Sequence, residues 1–587
     1  MTQFTLNKML TANRIRSVLI MALAVVSYLL IYQWKEDNSA DNVQPTSSME
    51  RRVENSTLLG QPVTTPTFVD APVSSSPIGK TTNDLPSIPA AVNQSNSVPV
   101  GNNQPTQSAQ LITVKTDVLN IAIDLKGGDI VYAALLKYPV SIEKSNQPFI
   151  LLNQSPSLTY IAQSGVVSAA GKDLDAEQRP LFVSAQSHYE LQGEQLNVVL
   201  NYQWANGMQA KKIFEFKKGN YLVGIKYEIN NHTAQTWQGS FFTQLKRDSA
   251  PDPSAGNKSL FSLPTYMGAA YSKPTERFNK LDFSDIEEKG NKALDETIKG
   301  GWVAMVQHYF LSAWVPNKNE NYHFYAKRIG EDNIIGAASP LVNVMPGTQA
   351  DISAELYLGP KIQEQLKKVA DGLDLSIDYG ILFFISHLLY LLLNFIHSLV
   401  GNWGWSIVFL TLCVKLLFFY PSAISYRSMA KMRKAQPELL RIREKHSTDR
   451  QALSQAMMKL YRDEKINPLG GCLPVLLQMP VFMALYWVLL ESVELRHAGF
   501  MLWIKDLSVM DPYLILPLLM GVSMFLQAQL NPTPPDPMQA KLMKWMPIMF
   551  TFFFLFFPAG LVLYWLTNNI LSIAQQWYIT KKIDAEK

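Results

Sequence analysis

Long stretches without a charged residue constrain this 587-residue chain more than any other feature. Tyr379 to Val414 and Trp545 to Thr580 each run 36 residues without Asp, Glu, Lys or Arg, and Pro512 to Pro535 runs 24. A helix needs roughly 20 apolar residues to cross about 30 Å of hydrocarbon. A wholly soluble protein is therefore excluded, and the sequence predicts an α-helical polytopic membrane protein.

The N-terminal region predicts a membrane anchor followed by a tether. Residues 17–34 are uncharged and follow three bases and no acid, which suits either an anchor or a cleaved signal peptide. The nearest cleavage candidate, 38–40, fits the small-residue rule poorly, so we expect an uncleaved anchor over 1–34. Residues 35–110 are rich in Ser, Thr, Pro, Asn and Gln, and this composition predicts a disordered tether. A Pro-rich docking ligand is the alternative interpretation.

Residues 111–360 alternate between apolar and polar side chains. The clearest runs are 119–125, 196–204 and 221–229. This period of two, with Gly and Asn turns between the runs, is typical of antiparallel strands with one buried face. The sequence therefore predicts an all-β sandwich domain. Because no nucleophile motif, metal-ligand spacing or phosphate loop occurs in it, we expect a scaffold or docking domain.

Charge predicts the topology of the remaining chain. Residues 423–470 hold eleven bases against five acids, so the positive-inside rule places a cytoplasmic helical hairpin at 423–471. We expect Asp449 or Ser447 to cap its second helix, and Pro437 to kink its first. Six transmembrane helices follow from this placement, with both termini in the cytoplasm and a short cytoplasmic tail at 579–587. The predicted first and second spans are 17–34 and 404–422. The third to sixth spans lie within 472–578, at 472–490, 512–530, 543–558 and 561–578.

An odd number of crossings must separate the β domain from the hairpin, yet the apolar stretch between them is long enough for two. Polar residues recur every three to four positions across 382–400, from Ser386 to Ser398. Such a polar stripe suits an amphipathic helix that lies in the outer membrane interface. We therefore expect residues 361–403 to form a linker and an interfacial helix, and the crossing to begin at 404.

One charged residue interrupts the predicted second span. Lys415 is the only Lys, Arg, Asp or Glu between Asp378 and Arg427. A lone lysine near mid-span costs about 2.5–3.5 kcal/mol, so it normally faces protein or a wet cavity. Two interpretations stay open: the ammonium snorkels about 10 Å to the cytoplasmic interface, or it lies in a water-lined cavity open to the cytoplasm.

Polar residues in other spans offer possible lining for such a cavity. They are Gln478 and Tyr486 in the third span, and Tyr564, Thr567, Asn568, Ser572 and Gln575 in the sixth. Interhelical hydrogen bonding explains them equally well. In the hairpin, Met429, Met432, Met457 and Met458 form either a soft face for varied partners or ordinary hairpin packing. For the hairpin bases, among them Arg427 and Lys431, three interpretations stay open: they bind anionic phospholipid headgroups, ribosomal RNA or nothing specific.

Several motifs resemble the YidC family of bacterial membrane-protein insertases. They are Ser428-Met429-Ala430-Lys431-Met432, Asn467-Pro468-Leu469-Gly470-Gly471-Cys472 with Gln478-Met479-Pro480, Ser492-Val493-Glu494-Leu495-Arg496, Asp536-Pro537-Met538-Gln539 and Gly560-Leu561-Val562-Leu563-Tyr564. The resemblance covers about residues 380–580. The anchor, tether and β domain ahead of it resemble the Gram-negative form, which has a large periplasmic β domain.

The resemblance implies an inner-membrane insertase and chaperone without cofactor, metal or catalytic residue. Such proteins accept hydrophobic nascent segments, from the ribosome or the Sec translocon, in a hydrophilic groove open to the cytoplasm, and release them into lipid. To this groove we assign Lys415, Thr411, Gln478, Tyr564, Trp565 and Asn568. The short tail weakens the expected ribosome contact, and we expect a functional monomer.

The chain departs from the family pattern at two groove positions. Relatives usually carry arginine where Lys415 stands and often tyrosine where Trp565 stands. Lysine keeps the charge but lacks the planar fork that grips a carboxylate with two hydrogen bonds.

Other functional classes explain the sequence less well. An ion or solute transporter that uses Lys415 is the alternative, and it predicts internal repeats that the chain does not show. An intramembrane enzyme needs a metal or nucleophile motif that the spans lack. A structural assembly factor differs from an insertase only in that it cannot insert a substrate without other proteins.

Overall fold

The computed structural model describes residues 111–168, 179–204, 206–253, 265–446, 449–467, 473–531 and 537–585. The predicted anchor and tether, 1–110, lie outside the described residues. The described part begins with the β domain and continues into the helices.

The β domain contains twenty strands within the described ranges. They are β1 Leu111–Lys115, β2 Leu119–Asp124, β3 Asp129–Pro139, β4 Pro148–Ser155, β5 Leu158–Ser168, β6 Val183–Ser184, β7 His188–Glu190, β8 Gln195–Gln203, β9 Gln209–Lys217, β10 Leu222–Asn230, β11 Trp237–Arg247, β12 Gly268–Lys273, β13 Glu276–Leu281, β14 Asp295–Lys299, β15 Val303–Val306, β16 Phe310–Val315, β17 Asn321–Ile329, β18 Asp332–Ala338, β19 Val342–Val344 and β20 Gln349–Pro360.

These strands form two large sheets. The eleven-stranded sheet has the order β14-β17-β18-β11-β5-β4-β3-β2-β1-β7, with β19 paired to β11, and the nine-stranded sheet has the order β13-β12-β15-β16-β20-β10-β9-β8-β6. Neighbouring strands are antiparallel except for β1 and β7. Strand β10 buries every second residue, as its alternation predicts. The expected β-sandwich is therefore confirmed.

The core lies between the two sheets and is rich in aromatic residues. Phe149 of one sheet stacks on Phe310 of the other, with ring centroids 4.3 Å apart. Polar bridges cross the same layer: Tyr160 Oη lies 2.6 Å from Ser312 Oγ, and Trp314 Nε1 donates to the Gln244 carbonyl oxygen at 3.0 Å. These hydrogen bonds provide partners for polar atoms that would otherwise be buried without one.

Ten α-helices lie within the described residues. They are α1 Phe283–Lys289, α2 Gln363–Val369, α3 Phe383–Val400, α4 Trp403–Leu417, α5 Phe419–Lys445, α6 Arg450–Asp463, α7 Leu473–Glu491, α8 Ile515–Leu530, α9 Pro537–Phe554 and α10 Ala559–Ala585. Asp449, one of the two predicted caps, accepts the backbone N–H groups of Gln451 and Ala452 at the start of α6. Helix α10 continues through residues 579–585, which the sequence assigned to a tail.

The predicted second span, 404–422, is broken. Helix α4 ends at Leu417, and α5 leaves at an angle of 69° to it. Pro421 lies in the first turn of α5, where a helix does not need the missing N–H, whereas a continuous helix would lose a hydrogen bond there and meet the proline ring. Helix α5 then passes through Pro437, where the sequence predicted the kink.

Helix α3 turns part of its polar stripe toward protein. Ser386 Oγ donates to the Ala484 carbonyl oxygen of α7 at 3.1 Å, and Tyr390 Oη donates to Glu494 at 2.8 Å. The opposite face is apolar and exposed, with Phe384 at 73% and Leu399 at 72%. The stripe therefore explains helix packing and does not by itself place α3 in an interface.

Length and composition give a limited test of membrane crossing. Among helices in the described ranges, α3 is long and apolar enough to cross alone, and α4 with α5 qualifies if the bent pair counts as one span. Residues 476–491 and 515–530 form shorter apolar helices.

A buried junction connects the β domain to the helices. Lys361 Nζ lies 2.9 Å from Glu491 at the end of α7, and both side chains are only 2% exposed. His308 Nε2 lies 2.9 Å from the Leu490 carbonyl oxygen. Arg496 donates to the Val140 carbonyl oxygen at 3.0 Å, from the loop after α7. Ion pairing and hydrogen bonds thus hold the two parts in one arrangement.

Candidate functional site

Lys415 lies in the last turn of α4 and points toward α10. Its Nζ donates to Ser572 Oγ at 2.7 Å, and Ser572 itself is buried. The sequence placed Lys415 near mid-span, but the break after Leu417 puts it at a helix end. The carbonyl groups that end a helix favour a cation at this position.

An open pocket lies beside Lys415. Its lining comes from the end of α4, the bend, the start of α5 and the first turns of α7: Val414, Lys415, Phe418, Ser422, Pro474, Leu477 and Gln478. The bend at Phe418 is what brings the last turn of α4 against α7. The pocket therefore combines one cation with an amide and a hydroxyl on an otherwise apolar surface.

Gln478 connects this pocket to α10. Its Nε2 donates to Tyr564 Oη at 3.3 Å, and Tyr564 is fully buried. Trp565 packs edge-on against Phe482, with ring centroids 4.7 Å apart. Trp565 Nε1 is buried without a hydrogen-bond partner among the described residues. Two of the assigned residues, Lys415 and Gln478, thus line one pocket. Tyr564 and Trp565 do not line it, but they contact Gln478 and Phe482 of α7.

Thr411 and Asn568 are not among the residues that line this pocket. Thr411 Oγ1 donates to the Ile407 carbonyl oxygen within α4 at 2.7 Å. Asn568 is buried, its carbonyl oxygen accepts the Ser572 hydroxyl at 2.7 Å, and its Oδ1 has no partner among the described residues. Both residues therefore contribute to the helix packing next to Lys415.

The buried polar face of α10 includes two residues that sequence reasoning missed. Asn569 Nδ2 donates to Ser523 Oγ of α8 at 3.1 Å. Gln576 Nε2 donates to the Leu530 carbonyl oxygen at 3.3 Å and to Asn531 Oδ1 at 3.1 Å. Their spacing from Ser572, three and four residues, could have revealed them, since such positions share a helix face. Asn569 on this face thus makes an interhelical hydrogen bond, while Ser572 on the same face bonds to Lys415 of the pocket.

The cytoplasmic hairpin exposes its bases and only part of its methionines. Arg427 and Lys431 are exposed on α5. Met429 is buried against Ile579 of α10 rather than against the second hairpin helix. The other three methionines differ in exposure, with Met432 and Met457 half-buried and Met458 58% exposed.

A loop closes the helices at the end opposite the hairpin. The backbone N–H groups of Ala559 and Gly560 donate to the carbonyl oxygens of Val509 and Leu507, at 2.7 and 2.9 Å. Asp511 is buried and accepts the Leu516 N–H at the start of α8 at 2.7 Å. The short turn before α10 is thus bonded to the loop between α7 and α8.

The described residues contain no group of three or more His, Cys, Asp or Glu side chains that could hold a metal ion. The polar groups that line the pocket are one amine, one amide and one hydroxyl, from Lys415, Gln478 and Ser422.

The long uncharged stretches of the sequence, together with a β-sandwich joined to a set of apolar helices, indicate a membrane protein with a large folded domain beside its helical part. The family model described as the YidC periplasmic domain matches residues 111–392, and the one described as the 60Kd inner membrane protein matches residues 395–586. The chain belongs to the YidC family of membrane-protein insertases. It is an inner-membrane protein with a periplasmic domain.

Curated relatives match nearly the whole chain. The membrane protein insertase YidC of Pseudomonas aeruginosa strain LESB58 is 47% identical over 603 aligned positions, covering 97% of this chain and 98% of that one. That of Pseudomonas fluorescens strain Pf-5 is 48% identical, with the same coverage. A solved structure described as an active YidC insertase with its first transmembrane domain resolved is 20% identical, covers 81% of this chain and 93% of its own, and has a TM-score of 0.37.

Proposed function

We propose that this protein inserts membrane proteins by receiving hydrophobic nascent segments at the pocket beside Lys415 and releasing them sideways into the inner membrane. The observation that carries this proposal is the half-buried lysine in an open pocket beside Gln478, at the bend between α4 and α5. The loop bonded to Ala559 and Gly560 lies at the far end of the helices. This asymmetry supports a groove that admits water from the cytoplasm and stops short of the periplasm.

The physical advantage of such a groove is a lower barrier for the polar flank of the substrate. A charged side chain costs several kcal/mol to move into hydrocarbon. Water and a positive charge partway across reduce this cost, most strongly for an acidic flank attracted to Lys415. Transfer of the adjacent apolar segment into lipid then drives the step, without a catalytic residue or cofactor.

The proposed mechanism requires the membrane topology that the sequence predicts. The chain crosses six times, with both termini and the hairpin in the cytoplasm and the β domain in the periplasm. Helix α3 lies in the outer leaflet, since one crossing must separate the β domain from the +6 hairpin. Its exposed apolar row, which includes Phe384 and Leu399, provides the lipid contact.

The hairpin is the proposed receiving surface for substrates and partners. Arg427 and Lys431 are exposed bases that suit anionic phospholipids or ribosomal RNA. Met458 offers an adaptable apolar contact for a nascent segment. We propose that the protein acts as a monomer, alone or beside the Sec translocon.

Site-specific crosslinking to a stalled nascent chain tests the proposed function. A photoreactive residue at Gln478, which lines the pocket, is expected to capture a single-span substrate. Leu417 is the matched control, because it is 74% exposed yet does not line the pocket. We expect at least tenfold more adduct from position 478. Equal capture from both positions would contradict the pocket as the substrate site.

A further inference from the structure

The ammonium of Lys415 has one hydrogen-bond partner among the described residues, the hydroxyl of Ser572 on α10. Nζ donates to Ser572 Oγ at 2.7 Å, and no carboxylate in the described part of the chain pairs with it. A lysine side chain is a flexible four-carbon stem with three rotatable N–H donors, so without a contact its charge would spread over many rotamers. The bond to Ser572 therefore determines where the charge lies.

The Ser572 hydroxyl is itself fixed in place. Its Oγ donates to the Asn568 carbonyl oxygen, one turn earlier in α10, at 2.7 Å, and the residue is only 2% exposed. A serine hydroxyl has one donor and two acceptor lone pairs, so this bond uses the donor and presents Oγ to Lys415 as an acceptor. Because the hydroxyl is bonded to its own helix, its rotamer is set locally. Ser572 is thus a rigid acceptor for a flexible cation.

Contacts with α8 on either side of Ser572 hold this part of α10. Three residues earlier, Asn569 Nδ2 donates to Ser523 Oγ at 3.1 Å. Four residues later, Gln576 Nε2 donates to the carbonyl oxygen of the last residue of α8 at 3.3 Å. The backbone that carries Ser572 is therefore anchored by interhelical bonds in which Lys415 takes no part.

The same stretch of α10 contacts the chain before and after the bend between α4 and α5. Lys415 precedes the bend and bonds to Ser572, while Tyr426 follows it and is buried against the Ser572 side chain. Gln575 Nε2 donates to the Phe419 carbonyl oxygen, at the start of α5, at 3.1 Å. Ser572 thus meets residues from both helices whose junction lines the pocket.

We propose that Ser572 is a positioning residue of the insertion site. It holds the ammonium of Lys415 beside the pocket and leaves two of the three N–H donors for water or for a carboxylate on the substrate flank. An acidic flank then meets a charge that is already placed, so less side-chain freedom is lost on binding. This inference rests on the proposed function, because Ser572 has this role only if Lys415 attracts acidic flanks.

Insertion into proteoliposomes, measured by protease protection for a substrate with an acidic flank and for one with a neutral flank, tests this role. We expect Ser572→Ala to reduce insertion of the acidic-flank substrate by about three- to tenfold, as for one lost hydrogen bond, and that of the neutral-flank substrate by less than about twofold. Ser572→Thr keeps a hydroxyl that can bond the carbonyl group four residues earlier, so it should restore most of the loss.

Ser523→Ala is the matched control. Ser523 is also a buried serine, whose Oγ donates within its own helix, to the Met520 carbonyl oxygen at 2.6 Å, and accepts from a neighbouring helix. The substitution therefore removes an interhelical hydrogen bond of the same kind without removing the partner of Lys415. Any loss should be the same for acidic and neutral flanks.

The Lys415→Met background separates positioning from packing. In it, Ser572→Ala should have no further effect on the preference for acidic flanks, because no charge is left to position. If Lys415→Met itself leaves insertion of the acidic-flank substrate unchanged, the proposed function is overturned and this inference with it. If Lys415→Met lowers that insertion, the proposed function stands. The role of Ser572 is then overturned if Ser572→Ala has no effect, raises insertion, acts equally on both flanks, or adds in full to Lys415→Met.

Discussion

Replacing Lys415 by Glu is expected to reduce insertion of a substrate with an acidic flank by about ten- to a hundredfold. The change converts attraction to repulsion at the pocket beside Gln478. Opposite charges about 4 Å apart in a partly buried site interact by up to about 4 kcal/mol, and each 1.4 kcal/mol is tenfold. Lys415→Arg keeps the charge and should retain most of the activity.

The substrate itself provides the control for this experiment. With its acidic flank replaced by Asn and Gln, insertion should change less than threefold between the Lys415→Glu variant and the unaltered protein. Protease protection of the translocated flank in proteoliposomes measures both rates. Equal losses for acidic and neutral flanks would mean that Lys415 supports the fold, and no loss for either would mean that its charge is not used.

Removing Glu491 is expected to cost about 3–5 kcal/mol of stability, because it leaves the Lys361 ammonium buried without its counter-ion. Both side chains are 2% exposed and lie 2.9 Å apart. The variant Glu491→Ala should therefore lower the midpoint of thermal unfolding in detergent substantially. It should also expose the segment between β20 and α3 to protease, since this junction holds the β domain against α7.

Two control variants test whether the loss of stability comes from the buried ion pair. Lys280 and Asp378 form a more exposed pair, 44% and 34% exposed at 2.6 Å, so Lys280→Ala should cost less than about 1 kcal/mol. The double variant Lys361→Met with Glu491→Leu removes both charges and should recover most of the loss. If Glu491→Ala and Lys280→Ala behave alike, the buried pair does not hold the junction.

Features that depend on local pattern could be predicted from the sequence. Strand alternation located β2, β8 and β10 to within a residue at each end, because a strand with one buried face repeats every two residues. Lys415, the lysine of the proposed site, was visible for a similar reason, since a charge within a long apolar stretch needs an unusual environment.

Features that depend on tertiary contacts could not be predicted. The bend at Phe418 follows from Pro421, but its direction and the resulting pocket require α7 to pack beside it. The polar stripe of α3 has the same pattern whether it faces water or protein, and contact with Ala484 decides between them. The ion pair between Arg179 and Asp129 joins residues 50 positions apart, which no local pattern indicates.

Access of water to position 415 tests the central claim most directly. In a chain with Cys472→Ser, a Lys415→Cys variant that also carries Cys413→Ser is treated with a membrane-impermeant maleimide, from one side of the membrane at a time. The matched control keeps Cys413, an exposed residue two positions earlier that does not line the pocket. We predict labelling at position 415 from the cytoplasmic side, none from the periplasmic side, and little labelling of Cys413 from either. Labelling at 415 from the periplasmic side, or from neither side, would contradict a groove that opens to the cytoplasm.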